Sequence, residues 1–152
     1  MFTEQLTQAL ALVDQIFPSN AAAGTVNSAG IDMSKNRRAL WIIEIGAMTV
    51  SSTVNIVLQS SANSNFTGAH TMATNTNLSQ VVNTSGGNLV VTVETSDEAV
   101  ANQNPGDRYA RVQIVVGTAA VNYSVIGFGS ESGHKPASQQ NPAAVSQQVV
   151  AN

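Results

Sequence analysis

Cysteine is absent from the 152 residues. That excludes disulfides, thiolate zinc sites and a thiol nucleophile, and it leaves the redox compartment open. Charge is scarce. Lys and Arg number 6 and Asp and Glu 9, so charged residues make up 10%, against about 25% in an average soluble domain. A net charge of −3 gives no broad electrostatic footprint for nucleic acid. Long apolar runs are missing too. Ala39-Leu40-Trp41-Ile42-Ile43 reaches strand length, far short of the ~20 residues of a membrane helix. Met1 to Phe17 holds Glu4 and Asp14 but no Lys or Arg, so no secretory signal peptide is expected. Aromatic residues are only 5%.

Ser, Thr, Asn and Gln fill the gap, at more than a third of the chain, while hydrophobic residues hold 43%. The chain has enough apolar side chains for a core, which sets it apart from disordered sequences of low hydrophobicity and high net charge. Its surface is wetted mainly by neutral polar groups. The length suits one domain with an arm at each end.

In the opening segment, Leu6, Leu10, Val13 and Phe17 fall at helical spacing. Leu10, Leu12 and Val13 leave the period unsettled, so a short helix and an extended arm are both open. From Ala23 onward the signals are short β segments between turns. Thr25–Asn27 is a brief strand. Arg38–Met48 is the strongest, because Leu40, Trp41, Ile42, Ile43 and Ile45 place apolar side chains on both alternating faces. Such a strand is buried on both faces, centrally in the domain or under a partner subunit. Thr53–Gln59 alternates more cleanly. Phe66–Thr67 and Leu78–Val82 read as short strands, and Leu89–Thr95 as a Val/Thr-rich one after the turn Ser85–Asn88. After the Pro105-Gly106 turn, Arg108–Val116 alternates again, and Val121–Phe128 closes the series. Asn141-Pro142 resembles a helix start, so Ala143–Val150 reads as a short helix or as an arm that orders on assembly. About eight short strands with regular turns predict an all-β fold, an antiparallel β-sandwich or jelly roll. The expected organisation is an N-terminal arm over residues 1–21, a β-sandwich domain over 22–129 and a C-terminal arm over 130–152.

Catalysis needs a titratable constellation, and none is legible. His70 and His134 both fall in Ser/Thr/Gly-rich stretches and read as solvated loop residues. Neither has further ligands at metal spacing. Asp97-Glu98 reads as a solvated corner. Ser132-Gly133-His134-Lys135 matches Ser-x-x-Lys formally, but its companion motifs are absent. The four Asn-x-Ser/Thr sequons, at Asn65, Asn77, Asn83 and Asn122, reflect composition. No catalytic residue, metal site or cofactor is expected, and the chain is not expected to be an enzyme. The informative charges are arginines. Lys35, Arg37 and Arg38 precede the strongest strand, and Arg108 and Arg111 flank Tyr109. They are either solvated strand ends near Asp32, Glu44 and Asp107, or partners in ion pairs between subunits, a role that suits Arg better than Lys.

Several segments carry a resemblance in their order and spacing. Gly24-Thr25-Val26-Asn27-Ser28 precedes Ile31-Asp32-Met33-Ser34-Lys35-Asn36-Arg37-Arg38-Ala39-Leu40. Val54 to Ser60 is followed by Phe66-Thr67. Arg108-Tyr109-Ala110-Arg111-Val112 comes next, and a closing strand ends Gly127-Phe128-Gly129. Over residues 22–130 the chain resembles the small head decoration, or cement, proteins of tailed bacteriophages. The resemblance implies an antiparallel, often jelly-roll-like fold. It implies a homotrimer on the capsid exterior that binds the major capsid protein and ties neighbouring subunits together. The acidic stretch usual after the second strand is replaced here by Ser60-Ser61-Ala62-Asn63-Ser64-Asn65.

The expected function is therefore a virion structural protein on the outside of an icosahedral phage head, with no nucleic-acid or membrane partner. Arg37, Arg38, Trp41, Arg108, Tyr109 and Arg111 are the candidates for subunit or capsid contact, Trp41 for the core or the subunit seam. The alternatives are a carbohydrate-binding or adhesin-type β-sandwich module and a phage tail or neck component. A sugar site favours exposed aromatic platforms, and Trp41 lies inside an apolar run.

Overall fold

The computed structural model describes residues 6–72, 81–82, 87–133 and 137–146. The expected turn at Ser85-Gly86, His134, the sequons at Asn77 and Asn83 and the last four residues of the expected C-terminal helix lie outside them. The elements run α1 (Leu6–Ala9), β1 (Leu10–Ala21), β2 (Gly24–Asn27), β3 (Ile31–Asp32), β4 (Asn36–Met48), β5 (Thr53–Ser61), β6 (His70–Thr71), β7 (Val81–Val82), β8 (Gly87–Ser96), α2 (Asp97–Gln103), β9 (Tyr109–Gly117) and β10 (Val121–Ser132), followed by a 3₁₀ turn at Ala137–Gln140.

The strands form two antiparallel sheets. One has the order β1-β10-β4-β8, the other β2-β9-β5-β6, with β3 on β9 and β7 on β5. The chain changes sheet at six of its nine strand-to-strand connections. β1 leads across to β2, β3 back to β4, β4 across to β5, β8 across to β9 and β9 back to β10. The first and last long strands end as neighbours. This is the winding of a jelly roll, two interleaved Greek keys. The expected all-β sandwich is therefore observed.

Alternation explains the layers. Successive strand side chains point to opposite faces. Ala39, Trp41, Ile43 and Ile45 of β4 point inward and are buried, against Val54, Ile56 and Leu58 of β5 and Val112 and Ile114 of β9. A polar spine crosses this core. Asp14 Oδ2 accepts from Trp41 Nε1 at 2.8 Å and from Ser28 Oγ at 2.5 Å. Ser28 Oγ in turn accepts from the Val112 backbone N–H at 3.2 Å. One carboxylate on β1 thus ties β4 in its own sheet to β9 in the other. Gly127 makes room for it, since a Cβ there would lie 2.7 Å from Asp14 Cβ and 2.9 Å from the Trp41 ring.

Four local expectations change. The N-terminal segment, expected as an arm apart from the sandwich, is a one-turn helix followed by a twelve-residue edge strand. Register shifts between Leu12 and Asp14 and between Ile16 and Ser19 are β-bulges that break the two-residue period. Pro18 is tolerated because β1 is an edge. Phe66-Thr67 is not a strand. Phe66 sits in a turn at φ 57°, and its ring lies where a Cβ on Gly30 would come within 2.5 Å. Asp97-Glu98 opens a helix rather than a loop corner. Ser96 Oγ caps it by accepting from Ala99 N–H at 3.1 Å, and the two carboxylates complement the N-terminal end of the helix dipole. Finally, residues 137–146 turn back along β1, with Asn141 Oδ1 accepting from Leu12 N–H at 2.8 Å, and Ala143–Ala144 form a turn rather than a helix.

Candidate interaction surface

The arginines are spread over two places. Arg38, near the start of β4, reaches Glu94 at 3.9 Å and Glu131 at 3.5 Å, with all three side chains more than half exposed. Long, solvated ion pairs of this kind contribute at most about 1 kcal/mol. Arg37 beside it is exposed. At the other place, Arg108 holds Asp32 with a two-toothed grip, Nε to Oδ1 at 3.1 Å and Nη2 to Oδ2 at 2.7 Å. Ser34 donates to the same carboxylate through its N–H and its hydroxyl, at 3.0 and 2.6 Å. Burial by itself pushes the Asp32 carboxyl up, but the hydrogen bonds from Arg108 and Ser34 outweigh it and hold the group below the ordinary carboxylate value. The Asp32 hydrogen bond likewise raises the Arg108 guanidinium above its usual value.

Arg108 lies 5.0 Å from the Tyr109 ring centroid, and Arg111 lies 4.3 Å from that of Phe66, both within cation–π range. Arg111 Nε also donates to Gln59 Oε1 at 2.9 Å, and burial pushes its guanidinium down from its ordinary value. Arg108, Tyr109 and Arg111 thus gather at one end of the six-stranded sheet, with Arg38 on the four-stranded one. Trp41 is fully buried between the sheets. It belongs to the core and offers nothing to a surface.

His70 has a partner that sequence did not suggest. Its Nδ1 lies 2.9 Å from Oδ2 of the buried Asp107. Ser60 Oγ donates to that same oxygen at 2.7 Å and accepts from Asn104 Nδ2 at 3.0 Å. Serine, histidine and aspartate are together, but the hydroxyl proton is directed at the carboxylate and not at the imidazole. A nucleophilic triad needs the second contact. Here the groups tie β5 and β6 to the loop before β9. Among the described residues no three His, Asp or Glu side chains gather as metal ligands.

The feature of the surface that stands out is the outer face of the four-stranded sheet. β4 and β10 are its two central strands, and Leu40, Ile42, Ile126 and Phe128 point outward from them, partly exposed. Leu10 on β1 extends the strip toward one edge, whereas on β8 Glu94 lies beside Leu40 and Thr92 beside Ile42, with Val90 beside Glu44. A shallow groove of about 520 Å³ runs along it beside Leu40, Ile42 and Phe128, with Arg38, Glu94 and Glu131 also in its lining. The opposite outer face carries Asn55, Gln59, Arg111 and Gln113 with Val57 and Val115 among them. Soluble domains keep large contiguous apolar patches off their surfaces unless something binds there. The strand apolar on both faces is central in its sheet; among the described residues its inner face is buried between the sheets and Leu40 and Ile42 on its outer face are partly exposed.

Fold and surface define a class: a jelly-roll β-sandwich with one apolar outer face. No protein-family model matches the chain, and no curated protein does either. Among solved structures, a chain from "Structure of infectious bursal disease virus Gx strain" overlaps 86% of this chain at 11% identity and a TM-score of 0.36. This chain spans about a third of that one, 32% of its length, and so loose an overlap bears on neither function nor partners.

Proposed function

We propose that this chain is a virion structural protein, a decoration or cement subunit on the exterior of an icosahedral phage head, working with copies of itself and the major capsid protein. The observation that carries the proposal is the partly exposed apolar group Leu40, Ile42, Ile126 and Phe128 on the outer face of β4 and β10, which gives the subunit a surface to bury on assembly. Jelly rolls recur in viral shells, although the same fold also serves lectins, so fold alone does not choose. The resemblance over residues 22–130 favours the head. Sugar binding is disfavoured because Trp41, Phe66 and Tyr123 are buried, which withdraws three of the aromatic rings a stacking platform would use.

The mechanism is mechanical. A standard interface buries about 1,600 Å² in total, and a modest gain at each seam is multiplied over many copies. The neutral polar surface suits dense packing, since like charge does not accumulate. The arginine and tyrosine group at 108–111 is the candidate contact with the capsid subunit. The test is co-sedimentation of the purified protein with undecorated phage heads, followed by heating the heads with and without it. Saturable binding and a higher temperature of DNA release are expected. No binding to any head at micromolar protein would overturn the proposal.

A further inference from the structure

The geometry points to β8 as an open sheet edge that takes up an extended segment of another protein as an added strand. The inference rests on the reading above, in which that protein is the capsid subunit, and it names the element and the chemistry of the contact.

A comparison of the sheet edges carries the argument. An edge strand offers unpaired N–H and C=O groups to any extended chain, so folded proteins shorten it, bulge it, cover it or place Pro and Lys on it. The other edges here are closed in these ways. The six-stranded sheet ends in short strands, β2 and β3 of four and two residues on one side, β6 and β7 of two residues each on the other. β1, at one side of the four-stranded sheet, has two register shifts and Pro18. The segment 137–146 also lies along it, with Leu12 N–H donating to Asn141 Oδ1. β8, at the other side, has none of these devices. It runs Leu89-Val90-Val91-Thr92-Val93-Glu94-Thr95-Ser96 without Pro or Lys. Its register with β4 is unbroken from Ile45 beside Leu89 to Arg38 beside Ser96. Among the described residues no strand pairs with its far side.

Backbone and side chains together specify the occupant. In an antiparallel pair, successive residues turn their N–H and C=O alternately toward the partner strand and away from it, so about four of these eight residues present both groups outward. On the core side, Leu89, Val91, Val93 and Thr95 lie beside Ile45, Ile43, Trp41 and Ala39. Leu89 is still 43% exposed there, so a strand with apolar side chains at alternate positions would finish covering it. The outer side carries Glu94. Arg38 lies 3.9 Å from Glu94 and 3.5 Å from Glu131, so the three together keep one negative charge in excess. A basic side chain on the outer side of the added strand complements it. The occupant is therefore an extended segment, apolar at alternate positions, with Lys or Arg on its other face. A second copy of this chain does not supply it. Its β1, β2 and β6 edges are closed, and β8 against β8 brings no basic residue.

The experiment is hydrogen exchange read by mass spectrometry, on the free protein and on the protein bound to undecorated phage heads. Peptides covering 87–96 should exchange on the order of tenfold more slowly on the heads, because outward N–H groups become bonded. Peptides covering β1 should not change. Val91→Pro and Thr92→Pro then probe the backbone itself. Their N–H groups point opposite ways, so one substitution removes a bond to β4 and lowers Tm. The other removes only an outward donor, keeps the fold by Trp41 emission, and should weaken head binding about tenfold. If both unfold, the exchange decides. Glu94→Lys, at a side chain 61% exposed, should weaken head binding too, and unchanged binding would overturn the basic complement. Unchanged exchange over 87–96 on saturated heads, or a folded proline variant that binds like wild type, would overturn strand addition and leave the head reading standing. Protection of 87–96 that grows with concentration in the free protein would make a second copy the occupant and overturn the partner. No binding of wild type to heads would overturn both readings.

Discussion

Replacing Asp14 with alanine tests whether the polar spine holds the two sheets together. The carboxylate is buried and accepts from the Trp41 indole and the Ser28 hydroxyl through one oxygen. Asp14→Ala leaves both donors without that acceptor inside the core. A hydrogen bond to a charged group contributes about 1.5–3 kcal/mol, so two such bonds set a gross loss of about 3–6 kcal/mol. Against this, the variant no longer buries a carboxylate, which recovers part of the loss. Ser28 also keeps its bond from Val112 N–H, at 3.2 Å. A net destabilisation of about 3 kcal/mol is expected, which in a domain of this length lowers Tm by about 6–12 °C. The chain has one tryptophan and it is the partner of Asp14, so its fluorescence reports unfolding at the perturbed place. Urea titration followed by Trp41 emission gives the free energy, and circular dichroism checks that the transition is global. A companion cycle with Ser28→Ala should be non-additive, because both changes remove the same bond. A Tm for Asp14→Ala within 2 °C of wild type, or strict additivity with Ser28→Ala, would refute the spine as a tie between sheets.

Two further outcomes follow from the same geometry. Asp32 has its carboxyl lowered in the folded state, so the stability it contributes is present above the unfolded carboxylate value of about 3.9 and is lost as pH falls through the lower, folded value. Asp32→Asn should therefore lower Tm at pH 6, and the gap to wild type should close below pH 4 in a calorimetric series; a gap that stays constant from pH 6 to pH 3 would contradict the assignment. Gly127→Ala puts a methyl group 2.7 Å from Asp14 Cβ and 2.9 Å from the Trp41 ring, and forcing atoms into a packed core costs about 1–3 kcal/mol. Thermal melts should show that loss, whereas Gly106→Ala, with open space around its Cβ position, should lack any clash and feel only its positive φ.

Sequence was most legible where structure is most local. β4, β5, β9 and β10 were readable because strand alternation is written in neighbouring residues, and the Pro105-Gly106 turn because its backbone preference belongs to those two residues. β1 was ambiguous for a physical reason: its two bulges put Leu12 and Val13 out of step, so no single period describes it. The helix Asp97–Gln103 was missed because it is short and buries only Val100, which leaves no apolar stripe. Its signal lay in the cap, Ser96 followed by two acidic residues. His70 read as a loop histidine because its partner, Asp107, lies 37 residues away.

By itself, then, the sequence determined the class: a charge-poor, cysteine-free all-β sandwich, with a strand apolar on both faces and arginines at two places. Each of these properties is carried by composition or by residues within a few positions of one another. Only the tertiary structure decided what that strand and those arginines face. Folding brought Asp14 to Trp41 across 27 positions and Asp32 to Arg108 across 76. It ordered the strands β1-β10-β4-β8, placing β4 in the middle of a sheet with Leu40 and Ile42 partly exposed on its outer face. Apolar side chains announce that they will be covered, but which of them the fold covers fully is set by the path of the whole chain, which here buries Trp41 and Ile43 between the sheets and leaves Leu40 and Ile42 partly exposed.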